Sequence, residues 1–204
     1  VGELCRANGV LVIADEIHAD FVYKPHKHIV FATLSESDRD NCVIMTAPSK
    51  TFNLAGLQCS NIIIPNSRLK AEFDIAQANT GLYALNHFAV VSCAAASNHG
   101  ETWLDELLQY LEGNIKYVRD FIAAELPRVK MSTIEGTYLV WLDCRDYGYD
   151  KIELEKRIKE KGRLFLNEGY IFGDNGAGFE RINIACPRAM LEQGMRRIKT
   201  ALEA

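Results

Sequence analysis

Two short, mainly apolar runs, each followed closely by polar residues, constrain the fold of this chain more than any other feature of its sequence. Residues 10–14 (VLVIA) lead directly into Asp15, and residues 42–46 (CVIMT) are followed by Ser49 and Lys50. A strand that is apolar on both faces belongs in the middle of a covered, mostly parallel sheet. A third run, residues 61–65 (NIIIP), follows the second too closely for a helical crossover, so we expect it to pair antiparallel.

The predicted order of strands and helices is typical of an α/β domain in the first part of the chain and of a small α+β domain in the last part. Helical spacing of apolar residues predicts helices at residues 67–77, 86–96 and 102–126. The last of these three helices is long and amphipathic. The second helix is apolar on nearly every side, so we expect it to be buried. Later segments favour strands at residues 137–142, 163–166 and 181–185 and helices at residues 152–161 and 188–204. We therefore predict a large-domain portion over residues 1–110 and a small α+β domain over residues 111–204.

Composition excludes several classes of protein. Hydrophobic residues make up 48% of the 204 residues, which is enough apolar surface to offset the ordering entropy, so the chain is not disordered. A net charge of −4 provides no basic face for nucleic acid. No apolar run approaches the roughly 20 residues that span a bilayer, so no membrane span is expected. The chain opens without a methionine, which leaves open a removed or missing N-terminal segment.

The cysteines and histidines indicate neither disulfides nor a metal centre. The six cysteines form no C-x-x-C pair and lie mostly in apolar runs, which favours reduced thiols in a cytoplasmic protein. A zinc site needs a larger set of ligands than His26 and His28 provide, and no nearby cysteine or acidic cluster completes one. We therefore expect no metal site.

The first candidate functional group is an acidic pair at the end of the first strand, followed by a histidine. Asp15 follows a buried run, and His18 lies three residues further on. A desolvated carboxylate needs a cation or hydrogen-bond donor. One interpretation is a helix cap or a structural salt bridge. The other is a carboxylate that keeps a heterocyclic nitrogen protonated, with His18 beside the same ring.

The second candidate group is Ser49 and Lys50, which follow the second strand. Burial lowers the pKa of a lysine and frees a nucleophilic amine for Schiff-base chemistry. Ser49, Thr51 and Asn53 are short polar residues that suit a phosphate. The alternative is that Lys50 is a solvated lysine in a loop.

The third candidate group is Arg181, which leads an apolar strand near the C-terminus. An arginine in that position is able to grip a carboxylate with two hydrogen bonds, although a structural ion pair explains it equally well. The preceding glycine-rich segment, residues 173–178, lacks G-x-G-x-x-G spacing, so we interpret it as a turn and not a phosphate loop.

Together these groups resemble the pyridoxal-phosphate enzymes of the class I and II aminotransferase family, which have the aspartate-aminotransferase fold. The closer resemblance is to the bacterial cystathionine β-lyase (cysteine-S-conjugate β-lyase) branch. It is carried by residues 15–20 (DEIHAD), 49–56 (SKTFNLAG), 136–143 (GTYLVWLD) and 181–188 (RINIACPR). The implied fold is part of the large domain, a mixed and mostly parallel sheet with helices, plus a C-terminal α+β small domain.

The resemblance also implies roles for individual residues. Lys50 would bind pyridoxal 5′-phosphate covalently and remove the substrate Cα proton. Asp15 would pair with the pyridinium nitrogen, His18 would lie near the 3′-oxygen, and Ser49 would contact the phosphate. Arg181 would bind the α-carboxylate of an amino-acid substrate. The implied reaction is β-elimination from cystathionine or a cysteine S-conjugate, giving pyruvate, ammonia and a thiol.

Two departures from the family pattern leave alternatives open. Many aminotransferases carry an arginine for the cofactor phosphate soon after the lysine, but residues 57–61 (LQCSN) contain none. Family members are about twice as long, which implies a missing N-terminal half that completes the pocket. The alternatives to the lyase are therefore an aminotransferase and a non-catalytic or regulatory fragment of this fold. The family also implies a homodimer, in which residues 79–86, with Tyr83, are the best candidates to reach the neighbouring cofactor.

Overall fold

The apolar runs in the first half of the chain form a three-stranded sheet. A computed structural model describes residues 1–81 and 84–204, in two compact units, Val1–Glu106 and Leu107–Ala204. The sheet of the first unit contains β1 (Val12–Asp15), β2 (Cys42–Thr46) and β3 (Asn61–Ile63), in the order β1-β2-β3. The domain division at residues 110 and 111 stays a prediction.

Both predicted pairing directions in this sheet are confirmed. Strands β1 and β2 are parallel, with Val12 opposite Cys42, whereas β2 and β3 are antiparallel, with Ile44 opposite Ile63. The central strand β2 is the buried one: Cys42, Val43 and Ile44 are nearly inaccessible. Because β1 and β2 run the same way, their carboxyl ends lie at the same edge of the sheet.

Helices and short turns fill the connections of the first unit. The α-helices are α1 (Gly2–Ala7), α2 (Glu36–Asp40), α3 (Pro48–Thr51), α4 (Ser67–Thr80), α5 (His87–His99) and α6 (Glu101–Glu125), the last of which continues into the second unit. Asparagine side chains cap α4 and α5 at their N-termini, since Asn66 and Asn86 accept hydrogen bonds from backbone amides of the first turn. Tyr83, proposed to reach a neighbouring cofactor, lies outside the described residues.

Burial in the first unit differs from the sequence prediction. Strand β1 was expected to be covered on both faces, but Ile13 is 60% exposed. Helix α5 was expected to be buried, yet Phe88 is 77% exposed and Ala89 is the one buried residue among its described positions. All three residues of β3 are also exposed. Apolar composition predicts which surfaces need a partner, but it does not place that partner within the same 204 residues.

The second unit is an antiparallel sheet with helices, as predicted for an α+β domain. Its strands are β4 (Lys130–Met131), β5 (Leu139–Asp143), β6 (Asn167–Glu168) and β7 (Phe179–Asn183), in the order β4-β5-β7-β6. Pairing of β5 with β7 places Trp141 opposite Arg181. The predicted strand at residues 163–166 is wrong: this segment is irregular, and the adjacent β6 is only two residues long.

Two further helices complete the core of the second unit. They are α7 (Lys151–Lys156), which continues as a π-helical turn over Arg157–Lys161, and α8 (Arg188–Glu203). The core consists of fully buried apolar side chains from α6, β5, the segment after β7 and α8, among them Leu111, Val118, Leu142, Ile184, Met195 and Leu202. The long amphipathic helix predicted at residues 102–126 is thus confirmed, and its apolar face supplies part of this core.

Asn114 is a buried polar residue within that apolar face of α6. Its side-chain amide donates to the carbonyl of Ile184 at 2.8 Å and to that of Cys186 at 3.2 Å, and its oxygen accepts from Arg188 Nε at 2.9 Å. These bonds satisfy a segment of backbone that has left the sheet. Asn114 therefore connects α6 to the chain between β7 and α8.

We expect Asn114→Ala to lower the free energy of unfolding by about 1–3 kcal/mol, because it leaves a buried carbonyl without a donor. Urea unfolding of the purified protein measures this change. Lys116→Ala is the matched control on the same helix, since Lys116 is exposed and forms an i,i+4 pair with Asp120 worth less than about 0.5 kcal/mol. Equal effects of the two substitutions would contradict the role assigned to Asn114.

Candidate active site

The candidate site lies beyond the carboxyl ends of β1 and β2. Asp15 is the last residue of β1 and is opposite Met45, and the amide of Glu16 donates to the Met45 carbonyl at 2.8 Å. Helix α3, which contains Lys50, begins two residues after β2 ends. The parallel pairing therefore carries the turn after Asp15 and the turn around Lys50 to one edge of the sheet. Open α/β sheets bind their ligands at this edge.

The turn after β1 holds Asp15 and His18 in a defined conformation. One oxygen of the Asp15 carboxylate accepts the amide of Ile17 at 3.3 Å. The amide of Phe21 donates to the carbonyl of His18 at 3.0 Å, and the two rings lie 6.0 Å apart between centroids. Phe21 is buried and so provides a fixed surface for the half-exposed imidazole. The Asp15 side chain is exposed, in contrast to the desolvated acid that the sequence predicts.

Glu16, next to Asp15, is the acid that points into the protein. It is buried, and its two oxygens lie 2.8 Å from His28 Nε2 and 2.9 Å from the amide of Phe31. Sequence reasoning did not separate the two acids, although their adjacency at a strand end predicts that they point in opposite directions. Glu16 thus anchors residues 28–31, which leaves Asp15 facing out. His28 is taken up by this contact, and the described residues hold no group of three or more metal-ligating side chains.

Lys50 lies in the single turn of α3. Pro48 occupies the first turn of this helix, where its fixed φ angle is favourable, and Ser49 is half-buried. The Lys50 side chain is exposed and forms no ion pair with the described residues. The burial that the sequence predicts around this amine is therefore not supplied by the described part of the chain.

A hydrogen bond joins the two turns of the site. The hydroxyl of Thr51 donates to Oδ2 of Asp20 at 2.7 Å, across 31 positions in sequence. Thr51 is buried, whereas Asp20 is exposed. Both residues belong to the motifs that carry the family resemblance, but nothing in the sequence indicates that they contact each other.

Arg181, in β7 of the second unit, is held by an amide and an aromatic ring. Its Nη2 donates to Oδ1 of Asn167 at 3.1 Å, and its guanidinium carbon lies 4.3 Å from the centroid of Phe172. The Nε atom is buried and has no hydrogen-bond partner among the described residues. No carboxylate of the described residues forms an ion pair with Arg181, so the structural ion pair considered from the sequence is absent there.

The glycine-rich segment before β7 is a turn, as interpreted from the sequence. The amide of Gly176 donates to the backbone carbonyl of Gly173, and the amide of Ala177 donates to the backbone carbonyl of Asp174. A Cβ atom on Gly176 would lie 2.0 Å from the carbonyl oxygen of Gly169, so the two backbones are in direct contact. This close backbone approach explains Gly176, and positive φ angles explain Gly173 and Gly178, without a bound phosphate.

Glu180 precedes Arg181 and points to the opposite side of β7, into the core. It is 1% exposed, and its Oε2 has no hydrogen-bond partner among the described residues. Burial raises the pKa of Glu180 to about 8; the carboxylates of Glu168 and Glu155 act in the same direction, and Lys159 opposes them. Glu180 is therefore mostly protonated at neutral pH.

This raised pKa makes the stability of the second unit depend on pH. The contribution of protonated Glu180 is complete below its ordinary pKa of 4.5 and is lost as pH rises toward about 8, because only the unfolded chain releases the proton in that interval. As the pH rises through this range, the free energy of unfolding should fall less in Glu180→Gln than in the parent protein. Urea unfolding at several pH values measures this difference. The control variant is Glu160→Gln, because Glu160 is exposed. Its free energy of unfolding should depend on pH as steeply as that of the parent protein. An unchanged slope for Glu180→Gln would contradict the assignment.

The fold and these residues define a class of protein. The family model described as "Aminotransferase class I and II" matches residues 1–198. This chain therefore belongs to the class I and II aminotransferase family, and the predicted α/β fold is confirmed by solved structures of that fold.

Individual relatives show which members of the family this chain is similar to. The chain is 46% identical over 202 residues to cystathionine beta-lyase PatB of Bacillus subtilis, covering 99% of this chain and 52% of that protein. It is 34% identical over 205 residues to protein MalY of Escherichia coli, covering 100% of this chain and 52% of MalY. The structure of cystalysin from Treponema denticola, which contains pyridoxal 5′-phosphate, superposes with a TM-score of 0.94 at 35% identity and covers 99% of this chain and 51% of cystalysin. The chain thus spans about half the length of the curated relatives that it matches.

Proposed function

We propose that this chain belongs to a pyridoxal-phosphate-dependent carbon–sulfur β-lyase and contains its reactive lysine. The observation that carries the proposal is the placement of Lys50 and Asp15 beyond the carboxyl ends of adjacent parallel strands. The similarity to cystathionine beta-lyase PatB supports the reaction class. The pyridoxal 5′-phosphate in the cystalysin structure supports the choice of cofactor. The substrate class is cystathionine or another cysteine S-conjugate.

The residues present fit this cofactor. The Asp15 carboxylate is oriented by the Ile17 amide and faces outward, where it is able to accept a hydrogen bond from a protonated ring nitrogen. Lys50 has no competing ion pair among the described residues, so its amine is available to an aldehyde. Bound there, pyridoxal phosphate supplies an electron sink for carbanion chemistry at the substrate Cα.

The proposed mechanism assigns one task to each residue of the chain. Lys50 would hold the cofactor through its aldehyde group, and its amine would act as the base toward the substrate Cα proton. Asp15 would hold the ring nitrogen of the cofactor in its protonated form, His18 would hold the 3′-oxygen, and Ser49 would hold the phosphate. These tasks require the Asp15 turn and the Lys50 turn to keep a fixed separation.

Arg181 binds the substrate α-carboxylate in this proposal. A guanidinium that stacks on Phe172 and keeps unpaired N–H groups is preorganised for a planar anion. Loss of the thiolate from Cβ and hydrolysis of the remaining enamine then give pyruvate and ammonia. Cystathionine and one water thus yield homocysteine, pyruvate and ammonia.

The exposed apolar side chains of the first unit favour the homodimer and the additional chain that the family resemblance implies. Ile13 in β1, Ile63 in β3 and Phe88, Val90 and Val91 in α5 are all at least half exposed. Large apolar side chains exposed in this number are characteristic of surfaces that a partner covers. Among the described residues, no helix has the length and apolar character to cross a membrane.

An aminotransferase is the second candidate, and the assay separates it from the lyase. The complete gene product that contains this chain, supplied with pyridoxal phosphate, should release pyruvate from cystathionine without any keto-acid acceptor. Lys50→Ala should lose the visible absorbance of the bound cofactor and at least about a hundredfold in turnover, since it removes both nucleophile and base. Lys70→Ala, at an exposed lysine paired with Asp74 on α4, should match the parent protein. Transfer of the amino group of cystathionine to an added keto acid, with no release of pyruvate, would refute the lyase.

Arg181→Gln tests the carboxylate contact. We expect KM for cystathionine to rise about tenfold to a hundredfold, because a hydrogen-bonded charge pair is lost, while the cofactor spectrum stays unchanged. Arg181→Lys should recover only part of this loss, since a lysine is unable to form the two parallel bonds. A parent-like KM for Arg181→Gln would show that another residue binds the carboxylate.

A further inference from the structure

We propose that Thr51 and Asp20 are positioning residues, whose hydrogen bond fixes the Lys50 turn against the turn that contains Asp15 and His18. This inference rests on the function proposed above and deepens it. It assigns to two residues outside the proposed cofactor and substrate contacts the task of setting the separation between the Lys50 amine and the Asp15 carboxylate.

Helix α3 is too short to hold Lys50 in place by itself. It contains four residues, and its turn is closed by the amide of Phe52 donating to the carbonyl of Pro48 at 2.9 Å. A single helical turn is only marginally stable in water, because the cost of fixing its backbone exceeds the gain from one hydrogen bond. Contacts of the neighbouring side chains therefore decide where Lys50 lies.

Thr51 provides such a contact toward the turn after β1. It is 1% exposed, and a hydroxyl at this depth is costly unless it is hydrogen-bonded. Its partner is the Asp20 carboxylate at 2.7 Å, a charged acceptor that makes a stronger bond than a neutral one. Asp20 itself is exposed, so the carboxylate keeps much of its hydration while it accepts this bond.

Phe52, the residue after Thr51, provides an independent contact. Its ring centroid lies 5.6 Å from that of Trp103 in α6, and a Cβ atom on Gly100 would lie 2.3 Å from Phe52 Cε1. This packing docks the Lys50 turn onto the start of α6. Loss of the Thr51 bond should consequently loosen Lys50 relative to Asp15 without detaching the turn from the fold.

The turn after β1 has its own anchors as well. Glu16 bonds to His28 and the Phe31 amide, and Phe21 is buried beneath the His18 ring. Each turn is thus fixed separately to the body of the first unit, and the Thr51–Asp20 hydrogen bond then joins one turn to the other. Its removal should change the relation between the turns more than the stability of either.

The test compares three variants of the complete gene product that contains this chain. Thr51→Val keeps the shape and removes the hydroxyl, Thr51→Ser keeps the hydroxyl, and Asp20→Asn keeps an acceptor oxygen and removes the charge. The first measurement is hydrogen exchange of the backbone amides of residues 15–20 in the cofactor-free protein. The second is the Kd for pyridoxal phosphate, and the third is kcat and KM for cystathionine.

We expect Thr51→Val to raise amide exchange in residues 15–20 by about tenfold or more, since a bond to a charged group is lost. The same variant should weaken cofactor binding and lower kcat by about tenfold, with KM changed less. Thr51→Ser should restore parent values, and Asp20→Asn should fall between them. A fourth variant, which combines Thr51→Val with Asp20→Asn, should be no worse than Thr51→Val alone, because the bond that Asp20→Asn weakens is already absent in Thr51→Val.

Two results would overturn the inference in distinguishable ways. If Thr51→Val destabilises the fold but leaves exchange in residues 15–20 and kcat at parent values, Thr51 is merely structural. If Thr51→Val does not fold, Asp20→Ala removes the acceptor of the same bond at its exposed end, and parent-like exchange and kcat in that variant would likewise show that the bond has no positioning role. If the parent protein binds no pyridoxal phosphate, the proposed function fails, and this role fails with it even where hydrogen exchange shows that the two turns are coupled.

Discussion

The parallel pairing of β1 with β2 is the constraint on which the candidate site depends. It places Asp15 opposite Met45 and carries the turns after both strands to one edge of the sheet. An antiparallel pair would separate the same residues by the length of a strand, because its carboxyl ends lie at opposite edges. Every role assigned to Asp15, His18, Ser49 and Lys50 assumes this common edge.

Adjacent residues at the strand ends have divided tasks, and the division follows from the alternation of side chains. After β1, Glu16 points inward to His28 while Asp15 points outward. In β7, Glu180 points into the core while Arg181 lies against Phe172. In both places the acid that points inward is buried, and its neighbour in sequence points to the other face.

Sequence reasoning succeeded where a local pattern has one solution. The long helix ended by Pro127 was predicted almost to the residue, because apolar spacing and a proline both act locally. The antiparallel pairing of β3 followed from the short connection before it. The strand predicted at residues 163–166 failed because β-prone composition does not decide whether a segment finds a pairing partner, and here β7 pairs with Asn167 and Glu168 instead.

The burial of individual side chains and the long-range contacts could not be predicted from the sequence, for a related reason. Apolar content predicted a covered α5, but Phe88 and Val91 are exposed, since burial requires a surface that comes from elsewhere in space. The contact between Thr51 and Asp20 spans 31 positions and has no periodic signature. The motifs contain both residues, but only folding shows that they meet.

What the sequence determined by itself is most of the longer strands and helices and the chemical types placed at their ends: an acid, a lysine and an arginine. Those follow from residue spacing and backbone preference, which act over a few positions. The tertiary structure alone decided that Glu16 and not Asp15 is buried, that Arg181 keeps donors unpaired among the described residues, and that Thr51 ties two turns together. Such outcomes depend on which distant side chains come within hydrogen-bonding distance, and that is a property of the packed chain.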